Sequence, residues 1–143
     1  MTAHIASAHV TSSAPPSAFF ARWADMATWP EWNLDTEWVR LDGPFAEGAT
    51  GTLKPKGGPK VPFVVDRLTE DEFVDVSKLL GARLTFAHRV TTTGDRTEVS
   101  VDATISGPLA PVWKLILGKG IAASAQPDLE RLAAAAEAGG KAQ

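Results

Sequence analysis

Few side chains in this sequence are able to do chemistry. His88 lies in Arg83–Thr92, where Leu84, Phe86, His88 and Val90 alternate with Arg83, Thr85, Ala87 and Arg89. Such alternation marks a strand with one apolar face, so His88 is directed inward. An inward imidazole can donate, accept or transfer a proton near neutral pH. Its plainer role is a core histidine satisfied by a backbone carbonyl or water. Asp66 lies in Val64–Leu68 and Asp75 in Phe73–Val76. Turned into an apolar space, either carboxyl would have a raised pKa and could serve as general acid or base. Buried carboxylates are rare, and both are read as facing solvent, near Arg67, Lys78, Arg83 or Arg89 across strands. The spacing supports no Ser–His–Asp arrangement.

Other chemistries are excluded more firmly. There is no cysteine, hence no disulfide, thiolate metal site or cysteine nucleophile. The three histidines, His4, His9 and His88, show no HxH or HxxxH spacing, so no metal site and no cofactor is expected. The glycine-rich stretch Lys54–Lys60 lacks the GxxxxGK[ST] pattern of a phosphate cradle and reads as a solvated hairpin loop. A net charge of −3 predicts no basic surface for nucleic acid or anionic lipid. No run is apolar and long enough for an integral membrane segment, and no basic region with an apolar run opens the chain. The expected setting is cytoplasmic, the partner a small apolar molecule rather than nucleic acid, and the assembly a monomer or homodimer.

The elements that must position these residues are legible in order. His4–Thr11 alternates as a strand. Ser12–Pro16 reads as a helix start with Ser13 as N-cap, followed by Phe19, Phe20, Trp23 and Met26 at helical spacing. Thr28–Trp32 predicts a second short helix with Pro30 early in it. Strands are expected at Thr36–Asp42, Gly48–Pro55, Val61–Leu68, Glu72–Leu79, Arg83–Thr92 and Thr97–Ile105. The last of these turns Val99, Val101, Ala103 and Ile105 inward. The longest helical pattern runs from Leu109 towards Ala138. Its first half is apolar on nearly all sides and needs cover from more than one direction. Its second half carries Leu129, Leu132, Ala133 and Ala136 on one stripe. Gly118, Gly120 and Pro127 either break this helix or leave room beside it. Consecutive strands bracketed by helices imply an α+β fold with an antiparallel meander. One domain covers residues 1–138, and residues 139–143 form a frayed tail.

Four stretches together resemble a known family. They are Trp29-Pro30-Glu31-Trp32 after an early helix, the Gly48-Ala49-Thr50-Gly51 turn entering a strand, Leu84–Val90 ahead of a Thr-Gly-Asp hairpin and Thr97-Glu98-Val99, and Gly107–Pro111 leading into the long helix. In this order they resemble small bacterial members of the polyketide cyclase and START-like (SRPBCC) superfamily, which shares the helix-grip fold of the birch pollen allergens. The resemblance implies a seven-stranded curved antiparallel sheet wrapped around a long C-terminal helix, with two short helices after the first strand. It also implies an apolar cavity between sheet and helix. Family members bind lipids, sterols, polyketides or hormones, and a few catalyse cyclisation or dehydration. The expected function is therefore binding of a small hydrophobic or amphipathic ligand, lipid- or polyketide-like. A polyketide cyclase/dehydratase-type enzyme using the same cavity is the alternative, with His88 its acid–base candidate. The residues expected to line the cavity are Trp29, Trp32, Trp38, Phe63, Val65 and Phe86, then His88, Val101, Trp113, Ile116, Leu117 and Gly120. The sequence has no tyrosine, so any role that better-marked cyclases give a phenol is unavailable.

Overall fold

The computed structural model describes residues 2–141. Seven strands, β1 (Thr2–Ser12), β2 (Thr36–Leu41), β3 (Thr50–Pro55), β4 (Val61–Leu68), β5 (Glu72–Leu79), β6 (Ala82–Thr93) and β7 (Arg96–Ser106), form one antiparallel sheet in the order β1-β7-β6-β5-β4-β3-β2. From β2 to β7 each strand pairs with its sequence neighbour, as short turns require, and β1 closes on β7. Bulges at His4/Ala6, Thr36/Trp38 and Val65/Arg67 punctuate the sheet and bend its strands. This is the helix-grip arrangement that the resemblance implies.

Helix α1 (Pro16–Ala24) and a 3₁₀ segment (Met26–Glu31) follow β1. The expected Ser13 cap is not formed. Pro16 takes the first helical turn, where a missing N–H costs nothing, and the cap position falls on Pro15. The hydroxyl of Ser12 accepts the Ala14 N–H at 3.1 Å and donates to Glu137 at 2.7 Å, tying the end of β1 to the final helix. Pro30 lies late in the 3₁₀ segment rather than early.

The final helix, α2 (Ala110–Lys141), is continuous through Gly118, Gly120 and Pro127. Pro127 cannot donate to the Ala123 carbonyl, but both residues are exposed, so water can take that acceptor. Of the tail expected to fray, residues 139–141 continue the helix, while Ala142 and Gln143 lie outside the described residues.

The interior divides into two apolar clusters. The larger joins Phe19, Trp23, Trp29 and Trp32 to Phe63, Val65 and Phe73 on the sheet, and Leu129, Leu132 and Ala136 of α2 complete it. The smaller joins Leu84 and Ile105 to Ala110, with Trp113, Leu117 and Ile121 packed against it. Helix α2 lies chiefly over β1, with lesser contact to α1, β7 and β6.

Candidate functional site

The site is built on β5 and β6. Their register sets His88 opposite Phe73, Asp75 opposite Phe86 and Ser77 opposite Leu84. Opposed residues share a face, so Phe73, Asp75 and Ser77 point the same way as His88 and the rest of its apolar row. Strand β4 continues the face with Phe63 opposite Ser77 and Val65 opposite Asp75. Asp75 and His88 are diagonal neighbours, with a separation of about 7–8 Å expected for that geometry.

Asp75 was expected to face solvent, and the structure corrects this. It is only 7% exposed. Among the described residues no side-chain hydrogen bond or ion pair reaches its carboxyl, and burial alone pushes its pKa from 3.8 up to about 7. The rarity of buried carboxylates argues for the solvent face. Pairing with β6 decides otherwise, since His88 brings Phe73, and with it Asp75, to the concave side. Asp66 does face solvent, beside the Val65/Arg67 bulge.

His88 is held tightly. Its ring stacks on Phe73 at 4.8 Å and meets Trp23 at 5.0 Å. Nδ1 is 2.9 Å from the Phe73 carbonyl oxygen, which can only accept, so the ring carries its proton there and Nε2 holds the lone pair. Burial lowers the pKa from 6.5 to about 4, with the carbonyl acting in the opposite direction, and the imidazole is neutral at pH 7. Nε1 of Trp23, whose ring meets His88, is buried without an acceptor, as is Nε1 of Trp32 elsewhere in the larger cluster.

The site lies between the two clusters. Along β5, Asp75 and Ser77 separate Phe73 of the larger cluster from Leu79 at the edge of the smaller. On β7 the buried Ala103 belongs to neither. Phe86 and Val101, both half-buried, flank this break from opposite sides.

The other residues expected around the cavity divide. Phe63 and Val65 are on the concave face, and Trp113 and Leu117 turn towards it from α2. Trp29 and Trp32 are buried against each other at 5.4 Å. Nε1 of Trp29 donates to the Trp23 carbonyl, and Arg131 donates to that of Trp32, so these rings fasten the 3₁₀ segment rather than wall an opening. Trp38 is on the convex face. Its neighbour Val39 joins the core, and the Trp38 ring lies beneath the cations of Arg40 and Lys60, each 5.8 Å away. Ile116 is 61% exposed, one helical turn from the exposed Val112 and away from the sheet-facing Trp113 and Leu117. Gly120 is exposed, and a Cβ there would meet nothing within 4 Å, so it makes no room against the sheet. Two surface clefts lie apart from all of these. One, of about 550 Å³, is bounded by Pro16, Thr69–Asp71 and Val90–Thr92, and the other, of about 340 Å³, by residues 42–44 and 46–50. No cluster of His, Asp or Glu suited to a metal occurs among the described residues.

A family model described as polyketide cyclase / dehydrase and lipid transport matches residues 3–137. The chain belongs to that family. Solved structures share its fold at low identity. The di-domain ARO/CYC StfQ from the steffimycin biosynthetic pathway aligns at a TM-score of 0.74 and 14% identity, over 96% of this chain and 51% of that one. The chain thus spans about half the length of StfQ. A START superfamily protein from Mycobacterium smegmatis aligns at 0.66 and 19%, over 97% of this chain and 98% of that one. A truncated norcoclaurine synthase from Thalictrum flavum aligns at 0.70 and 14%, over 95% and 91%. No curated protein sequence matches. No helix among the described residues is long and apolar enough to cross a membrane.

Proposed function

We propose that this family member binds a small hydrophobic or amphipathic ligand against the concave face of the sheet, at the break between its two apolar clusters. The observation that carries the reading is Asp75, a buried carboxyl with no protein partner, flanked by Val65 and Phe86. An unpaired buried polar group costs stability unless something satisfies it, and natural cores rarely retain one without a use. A ligand with an apolar body and one polar group would bury its body on Phe63, Phe86, Val101, Trp113 and Leu117 and satisfy Asp75. Its driving force would be apolar burial at about 25 cal/mol per Å². Native mass spectrometry of gently purified protein tests this. A retained small molecule, released in Asp75→Asn or Phe86→Asp, supports it. A wild type that carries nothing and takes up no fluorescent fatty acid or polyaromatic probe counts against it.

A second reading, a cyclase or dehydratase, is favoured by one specific observation. Asp75 titrates near 7 while His88 stays neutral with Nε2 available. Two groups whose pKa values are pushed apart on one face are the usual basis for an acid and a base at neutral pH. Asp75 would protonate or deprotonate the substrate and His88 would accept a proton at Nε2. Turnover of a candidate polyketide that survives both Asp75→Asn and His88→Gln would remove this reading.

A further inference from the structure

The net charge of −3 conceals a strongly one-sided distribution. In this meander the β3–β4 turn, the β5–β6 turn and the β7–α2 connection all fall at one end of the sheet. The register shows it: Leu53 pairs with Val61, Leu79 with Ala82, and Ser106 with both Arg83 and Thr2. That end therefore gathers Lys54, Lys56, Lys60, Lys78, Arg83 and Lys114, and Lys119 follows one turn along α2. Asp35 and Glu37, at the start of β2, are acidic residues there, with Asp128 of α2 beside Asp35, and Glu37 is already paired with Lys54 at 3.1 Å. From Gly107 to Pro127 there is no acidic residue. Asp42, Glu47, Glu70, Asp71 and Asp95 lie in turns at the opposite end.

The basic end is also where apolar side chains protrude. Leu80 is 80% exposed, Leu115 85%, Ile116 61% and Val112 50%, with Leu109 at 39%. They form one surface. Residues 109, 112, 115 and 116 follow one another at helical spacing on the outer side of α2. The tip of the β5–β6 turn is fastened to them, because Leu109 N–H donates to the Gly81 carbonyl and Trp113 Nε1 to that of Leu80 at 2.8 Å. The inner stripe of the same helix, Ala110, Trp113, Leu117 and Ile121, already holds α2 to the sheet. The outer residues are thus free to engage something else without disturbing the fold.

We propose that this end of the protein docks on an anionic lipid surface, with Leu80, Leu115 and Ile116 entering the headgroup region and the lysines facing lipid phosphates. A helix that is apolar on its outer face and basic at its margins lies in a membrane interface rather than across it. Charge selects this occupant over the others. A twofold dimer through the same patch would set these cations against their own copies. A nucleic acid would take the lysines but leave the leucines in water.

The test is co-sedimentation of the full chain with vesicles of phosphatidylcholine alone, or with about 30% phosphatidylglycerol, at low and high salt. Binding is expected only to the anionic vesicles and should fall at least about tenfold between about 0.1 and 0.5 M salt. The exposed-residue variant Leu80→Ser/Leu115→Ser/Ile116→Ser should melt like the wild type and bind at least about tenfold more weakly. Lys114→Glu/Lys119→Glu should weaken binding by a similar factor. The proposal is overturned if the wild type ignores both vesicle types, if either folded variant binds like the wild type, or if the protein binds duplex DNA or pairs with itself through this face while ignoring lipid.

Discussion

Asp75 and His88 should leave opposite signatures in the pH dependence of stability. The folded pKa of Asp75 is raised from 3.8 to about 7, so the folded state prefers the proton. Its contribution to stability is complete below pH 3.8 and is lost as pH rises to about 7, a loss of about 4 kcal/mol by linkage. The folded pKa of His88 is lowered from 6.5 to about 4, so the folded state rejects the proton. Its contribution is complete above pH 6.5 and is lost as pH falls through about 4, at about 3 kcal/mol. Between about pH 4 and 6.5 the two slopes oppose each other, and the wild type should be nearly flat. Asp75→Asn keeps the shape and removes the titration. It should match the wild type near pH 4 and exceed it by about 4 kcal/mol near pH 8, equivalent to roughly 8–16 °C in melting temperature. His88→Gln should expose the reverse, a stability that falls as pH rises from about 4 to 7. Urea denaturation of the three proteins across this range is the assay. A difference between Asp75→Asn and wild type that does not change with pH would mean that the carboxyl is solvated or paired, and the site reasoning would fail with it. Bound ligand that satisfies Asp75 should shrink the difference, which makes the same titration a search tool.

Three further outcomes follow from the packing. Gly51→Val should cost about 1–3 kcal/mol in chemical denaturation, because a Cβ at Gly51 would crowd the Arg40 carbonyl and the Phe63 ring. Phe86→Asp should abolish uptake of an apolar fluorescent probe, whereas Ile116→Asp, on the exposed side of α2, should leave it unchanged in the same titration. Trp38→Ala should also leave probe uptake unchanged and lower stability by no more than about 1 kcal/mol, since it removes exposed cation–π contacts on the convex face.

Much of the fold is legible in the residues. The β4 and β5 boundaries are as periodicity predicts, and the inward row Leu84, Phe86, His88 and Val90 is where alternation places it. So is the Leu129, Leu132, Ala133 and Ala136 stripe. These patterns are local: a strand or helix repeats its own period whatever it packs against. The misplaced residues share a different cause. Trp38 is turned outward beside a bulge, and the first half of α2 is apolar all round in sequence yet covered on one side only. Nothing local says which way either will turn.

The sequence by itself determined the elements, their order and the chemistry left out, because period, turn residues and the lack of cysteine need no partner to be read. Tertiary structure alone decided what faces what. Pairing with β6 turned Asp75 inward although the rarity of buried carboxylates argues for solvent, since register couples a strand's face to its neighbour's. The meander brought lysines scattered from Lys54 to Lys119 to one end beside Leu80 and Leu115, because strand direction, not sequence distance, determines which turns meet.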